Sequence, residues 1–308
     1  MSLHVTFLGT GGAMPSVERN TSAVLARREG ERLLFDCGEG TQRQMMRYAT
    51  GFDISHIFVS HMHGDHVLGL PGLLQTLEVN GREDPITIHV PNGRRRAMRN
   101  LLDGTGTRPS FPLPVREVGG GDVAYRAEAF EVRVFETQHR TTSVGYALVE
   151  DDRKGRFDRE RAEELGVPPG PLFSRLHEGE DVELDDGTVV RSEQVVGDPR
   201  PGRRFVYTAD TRPTDATVEA AEGADLLVHD ATFTEDEAGR AASTGHSTAR
   251  EAADVAARAG AKRLALVHLS SRYAGHVTPL AEEAREAFDG EVFVPDDGDE
   301  VDVPFPDD

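Results

Sequence analysis

The chain has 308 residues, 37% hydrophobic and 29% charged, enough for one large α/β domain or two small ones around a packed core. It carries 54 Asp and Glu against 34 Lys and Arg, for a formal net charge of -20, the wrong sign for long-range attraction to nucleic acid. No apolar run reaches the roughly 18 residues of a membrane span, and Cys37, the single cysteine, excludes an intramolecular disulfide. The first residues run straight into a strand-like segment without a basic region or cleavage site, so no signal peptide is expected. A cytoplasmic place is the simplest reading.

Period-two and period-3.6 patterns alternate along the chain. Strands are predicted at 3–8, 22–26, 32–35, 56–60, 86–90, 130–136, 144–149, 204–208, 225–229, 263–268 and 291–294. Helices are predicted at 41–49, 66–79, 93–102, 214–222, 247–259 and 279–288. Ser247 or Thr248 can cap the fifth helix, and Thr278-Pro279 opens the sixth. This mixed order implies two sheets covered by helices. Residues 151–202 break the rhythm with Arg, Asp, Glu, Gly and Pro and a short helix at 158–165; composition alone makes them a solvated insertion. The tail from Asp296 carries seven acids and reads as a solvated end.

Chemistry concentrates at His61-Met62-His63-Gly64-Asp65-His66, on the turn between the strand ending at Ser60 and the helix beginning near Val67. Imidazole and carboxylate both ligate zinc, and residues two apart on such a turn can converge on one ion. His139, Asp210 and His268 each follow a further strand-like run, and ligands delivered from several strand ends to one edge are usual for α/β sites. Five His and two Asp exceed the needs of one tetrahedral zinc. Two ions with a bridging carboxylate would use all seven, an arrangement suited to phosphodiester hydrolysis.

These residues carry a family resemblance. The His-x-His-x-Asp-His run with the distal His, Asp and His resembles the metallo-β-lactamase superfamily. Phe35-Asp36-Cys37-Gly38-Glu39-Gly40-Thr41-Gln42, Val228-His229-Asp230-Ala231-Thr232, Gly245-His246-Ser247-Thr248 and His268-Leu269-Ser270-Ser271-Arg272-Tyr273 are similar to its ribonuclease Z family. That resemblance implies an α/β chain folded as a metallo-β-lactamase-like αβ/βα sandwich, one domain over 1–308 with a tRNA-binding arm inserted at 151–202. It also implies a homodimer that removes 3′ trailers from precursor tRNA and holds two zinc ions per subunit. His61, His63 and His139 would hold one zinc, Asp65, His66 and His268 the other, and Asp210 would bridge them. Asp65 would also accept a proton from the attacking water, His246 would act as general acid, and Asp36 would orient ligand histidines.

One departure stands out. The family's Pro-x-Lys-x-Arg-Asn loop is here Pro15-Ser16-Val17-Glu18-Arg19-Asn20, so Val17 stands at the lysine position while Arg19 and Asn20 remain. Two further readings stay open: a superfamily phosphodiesterase acting on another nucleotide or RNA, and a noncatalytic RNA-binding relative. All seven ligand positions are filled, which opposes the second. The acidity is either evidence against RNA or an adaptation to high salt. Dispersed acids and only two lysines, Lys154 and Lys262, fit a salt-adapted surface. Arg94, Arg95, Arg96 and Arg99 form either an RNA contact or a solvated helix face.

Overall fold

The computed structural model describes residues 2–104, 106 and 109–306. The chain divides into two compact units, Met1–Val149 with Arg203–Pro304 and Glu150–Gly202 with Phe305–Asp308.

The larger unit is built on two seven-stranded sheets. In the first, Leu3–Gly9, Ala23–Arg28 and Glu31–Phe35 pair antiparallel, and His56–Phe58, Thr87–Pro91 and Val115–Val118 continue in parallel. The second sheet mirrors this plan. Val144–Glu150 pairs antiparallel with Arg204–Tyr207, and Leu226–Asp230, Arg263–Val267 and Glu291–Phe293 follow in parallel.

Central strands such as Leu226–Asp230 and Arg263–Val267 are covered on both faces and read as continuous apolar runs, whereas Phe130–Glu136 alternates. The period of two then sorts each run between separate cores. Leu33 and Phe35 point between the sheets, where they meet Phe58, Tyr146, Phe205 and Tyr207. Leu34 points outward, onto Leu70, Leu73, Leu74 and Leu77 of the Leu70–Val79 helix. In the second sheet Phe205 and Tyr207 face inward, while Val206 meets the alanine-rich Ala249–Ala259 helix. Phe35 stacks on Phe58 at 5.1 Å and meets the edge of Phe205 at 5.5 Å. Such aromatic pairs are worth about 0.5–1.5 kcal/mol beyond their buried area.

Several elements differ from expectation. The helix predicted over 66–79 is two helices, Gly64–Val67 and Leu70–Val79. Pro71 cannot donate to the carbonyl four residues back, and a Cβ at Gly69 would lie 2.0 Å from the Gly38 carbonyl oxygen. The strands Val115–Val118 and Val123–Arg126 and the helix Ala238–Thr244 were not foreseen, being short and weakly patterned. The acidic tail is not a free end either. Glu300–Asp302 pairs with the Leu3–Gly9 strand, and Asp297 accepts from the backbone N–H groups of Thr10 and Asn20 and from Gln44. Thr248 caps the Ala249–Ala259 helix through a reciprocal capping box with Glu251, whereas Ser247 donates instead to the Thr211 carbonyl at 2.6 Å.

The smaller unit has its own core, in which Ala162, Val167, Leu176, Val182, Val190 and Val195 are buried. Asp158 caps its Arg159–Glu164 helix, and a second helix spans Pro171–His177. Among the described residues no helix is long and apolar enough to cross a membrane.

A net charge of -20 makes self-repulsion a term in stability. Raising KCl from ~0.2 to ~2 M shortens the Debye length from about 7 Å to about 2 Å. If screening returns about 3 kcal/mol, the melting midpoint should rise by roughly 5 °C. Thermal melts across a salt series check this, and a flat series would remove the salt-adaptation reading of the charge.

Candidate metal centre

The site residues gather where strands of the two sheets end. Asp36 follows Glu31–Phe35, His61 lies just past His56–Phe58, and His139 lies past Phe130–Glu136. Asp210 follows Arg204–Tyr207, and His268 follows Arg263–Val267. The backbone turns sharply at these exits: Asp36, Ala209 and His268 have φ of 56°, 52° and 60°. Non-glycine residues rarely adopt that left-handed region, and sites of this kind concentrate at functional centres.

Two His/Asp groups suited to a metal result, sharing Asp210. His61, His63, His139 and Asp210 form one, and Asp65, His66, Asp210 and His268 form the other. In the first, His61 Nε2 and His139 Nε2 lie 3.0 and 3.2 Å from His63 Nδ1. Tetrahedral ligands at about 2.0–2.1 Å from zinc stand roughly 3.3 Å apart, so this spacing fits a common ion. Asp210 is divided between the groups. Its Oδ2 faces His61 and His139 at 3.5 and 3.7 Å, and its Oδ1 faces His66 and His268 at 3.2 and 3.1 Å. Asp65 Oδ2 stands 3.2 Å from His268 Nε2 and 3.5 Å from His66 Nε2.

Four of the five rings are aimed from behind. Asp36 accepts from His66 Nδ1 at 2.7 Å and also holds Ser60 and Tyr207. Gly245 O accepts from His139 Nδ1 at 2.7 Å, while the hydroxyls of Thr232 and Ser60 meet His268 Nδ1 and His61 Nδ1 at 2.9 and 3.0 Å. Fixing Nδ1 leaves the Nε2 of these four rings directed into the site, whereas His63 presents Nδ1. His66 Nε2 and Asp210 Oδ1 are buried 3.2 Å apart in a geometry that makes no hydrogen bond, a burial that costs about 1–3 kcal/mol for each group left unmatched. A cation between them satisfies both, so the donor set fits a metal.

The electrostatics agree. Burial holds the His61, His63 and His139 imidazoles below their ordinary range, neutral and with a lone pair to give. For His66, burial is outweighed by Asp210 and Asp36, which lift it well above that range. Burial also opposes ionisation of Asp65 and Asp210, but histidine contacts win and hold both well below the usual carboxylate range. The acidic groups thus call for positive charge where a cation would sit.

His246 lies beside the groups, its ring centroid 5.0 Å from those of His139 and His268. Its Nδ1 donates to Asp230 Oδ2 at 2.9 Å. Burial disfavours its charged form, yet Asp230 raises the imidazole to about 9. His246, Asp230, Asp210 and His268 form a third His/Asp group. Asp230, however, already accepts from Thr211 N and from Thr232 N and Oγ1, so it orients His246 rather than standing free for an ion. Sequence reasoning left Asp230 out, although it ends the Leu226–Asp230 strand on the same edge as the other site residues.

Polar side chains of the Pro15–Asn20 loop are tied to neighbouring segments. The Arg19 guanidinium is buried and donates to Thr10 Oγ1, Pro295 O and Asp296 Oδ1, each at 2.6 Å. Asn20 Nδ2 donates to Glu39 O at 2.7 Å. Both side chains tie the loop to other parts of the chain, while Val17 projects into solvent at 95% exposure. Just before the loop, the Ala13 N–H donates to Asp65 Oδ2 at 2.8 Å. His229 donates from Nδ1 to Asp230 O at 2.8 Å.

Fold and site together define a member of the metallo-β-lactamase superfamily, whose family model matches residues 17–268. Ribonuclease Z of Natronomonas pharaonis is 66% identical, covering 100% of both chains. That of Haloferax volcanii is 65% identical over 100% of this chain and 97% of its own. Among solved structures, the short form of human tRNase Z (ELAC1) is 30% identical with a TM-score of 0.71, covering 98% of this chain and 100% of its own. The chain belongs to the ribonuclease Z family of tRNA 3′-processing endonucleases.

Proposed function

We propose that this chain cuts the 3′ trailer from precursor tRNA by metal-dependent phosphodiester hydrolysis, leaving a 3′-hydroxyl on the tRNA. The observation that carries the reading is Asp210, whose two oxygens face separate histidine groups on one strand-end edge. His61, His63 and His139 would hold one zinc, Asp65, His66 and His268 a second, with Asp210 shared between them. Zinc so held would polarise the phosphodiester and acidify water.

The protein's own groups do the rest. Asp65, anchored by the Ala13 N–H, presents an ionised carboxylate that can accept the attacking water's proton. His246, with Nδ1 held by Asp230, has Nε2 left to donate to the departing 3′-oxygen. Asp36 keeps His66 in a single ring orientation. The 151–202 segment would serve as the tRNA-binding arm. The working form would be a cytoplasmic homodimer.

Incubating the protein with a precursor tRNA and mapping both product ends tests the function. Cleavage after the acceptor stem with a 3′-hydroxyl is expected; hydrolysis of small phosphodiesters without precursor cleavage would replace this substrate with a smaller one. Asp230→Asn should lower kcat by about 10²-fold, the lower end for a disabled general acid, with metal content unchanged. Loss of metal in step with activity would instead make Asp230 part of the metal-binding set.

A further inference from the structure

In a chain so rich in carboxylates, most arginines find one. Arg161, Arg212, Arg250, Arg258 and Arg263 each hold an Asp or Glu. Among the described residues, Arg43, Arg47, Arg96, Arg99, Arg116 and Arg140 are exposed and have neither an ion-pair nor a hydrogen-bond partner. Arg96, Arg99 and Arg140 stand out among them.

Their placement is related. Arg140 follows His139 directly, and its Cγ would be 3.2 Å from a Cβ at Gly245, so its stem lies against the turn that carries His246. Arg94 donates from Nη2 to Thr141 Oγ1 and Thr142 Oγ1 at 3.1 and 3.0 Å. That ties the start of the Arg95–Asp103 helix to the loop bearing Arg140. The helix buries Met98 and leaves Arg95, Arg96 and Arg99 in solvent. Arginines three and four residues apart repel one another on a helix face, so the arrangement works against the isolated fold. It suits a polyanion, because each guanidinium can take phosphate oxygens bidentately at short range, where salt screens least.

We propose that Arg140 and the exposed face of the Arg95–Asp103 helix form a phosphate track for the substrate RNA leading away from the metal centre, with Arg96 and Arg99 as its outer contacts. The inference rests on the reading of precursor tRNA as substrate. It gives a strongly acidic protein a local means of holding RNA without a basic surface overall.

The test compares Arg96→Gln/Arg99→Gln with Arg250→Gln/Arg258→Gln, which removes the same charge from the Ala249–Ala259 helix. Cleavage of precursor tRNA and of bis(p-nitrophenyl) phosphate is measured across a KCl series, with melting points as the folding control. The first variant should lose about tenfold or more in kcat/KM on precursor tRNA, mainly through KM. Its log–log salt slope should be shallower by roughly 1.4–1.8, for two lost phosphate contacts. Its small-phosphodiester hydrolysis and melting point should stay those of the parent protein. Arg96→Lys/Arg99→Lys should recover most of the loss, and the Arg250/Arg258 variant should show none. An unchanged slope and KM in Arg96→Gln/Arg99→Gln, alongside a parent that cleaves precursor tRNA, would overturn the track alone. A parent that fails to cleave precursor tRNA would overturn the substrate reading together with it.

Discussion

His63→Ala is expected to remove metal and activity together, with kcat/KM falling by at least about 10³-fold, roughly 4 kcal/mol of transition-state stabilisation. His63 is the appropriate ligand position to change because it is exposed, whereas His61 and His66 are fully buried and their loss would also hollow the core. Its Nδ1 lies within 3.2 Å of both His61 and His139 nitrogens, so no neighbour can replace it without rebuilding the group. Metal analysis of the parent protein should return close to two zinc equivalents, one for each group around Asp210. Full activity with a single equivalent, or in the variant, would end the two-metal mechanism. Asp65→Ala should cost far more activity than Val17→Lys, since Asp65 faces His66 and His268 while Val17 projects into solvent. Equal and mild effects would remove Asp65 from its double role.

Replacing residues 151–202 by a short Gly/Ser linker should separate binding from chemistry. The strands on either side are adjacent, Val149 pairing with Arg204, so a few residues suffice to join them. The segment packs around its own core of Ala162, Val167, Leu176, Val182, Val190 and Val195. The three cores around the sheets draw nothing from it. Hydrolysis of a small phosphodiester, which needs only the strand-end groups, should stay within about tenfold of the parent, or roughly 1.4 kcal/mol. Precursor-tRNA cleavage should fall by about 10²-fold or more, because remote contacts that position the substrate are lost. Equal losses on both substrates would make the segment structural, and no loss on tRNA would leave it a passive loop.

Much of the architecture was legible because the central strands are covered on both faces. The resulting apolar runs, such as those in Leu226–Asp230 and Arg263–Val267, stand out against any polar connection. Where an element is short or lies at a sheet edge, that contrast fades. Glu300–Asp302 reads as solvated acid, yet its backbone completes the ladder beside Leu3–Gly9, an interaction in which side-chain polarity has little part. The break at Leu68 and Gly69 likewise turns on a backbone approach to Gly38 from another part of the chain.

The same division holds at the site. By itself the sequence determined the chemistry available, through His61, His63, Asp65 and His66 on one turn and the residues of the family's motifs elsewhere. The tertiary structure alone decided how those groups are used. It gave Asp210 one oxygen for each histidine group, set Asp230 behind His246, and buried the Arg19 guanidinium against Pro295 and Asp296. Residue type fixes which atoms can donate, accept or ligate, and local spacing fixes which neighbours on one turn can converge. Which lone pair faces which partner depends on strand ends brought together across more than a hundred intervening residues, as between Asp65 and His268, and on burial that makes each unmatched polar atom costly.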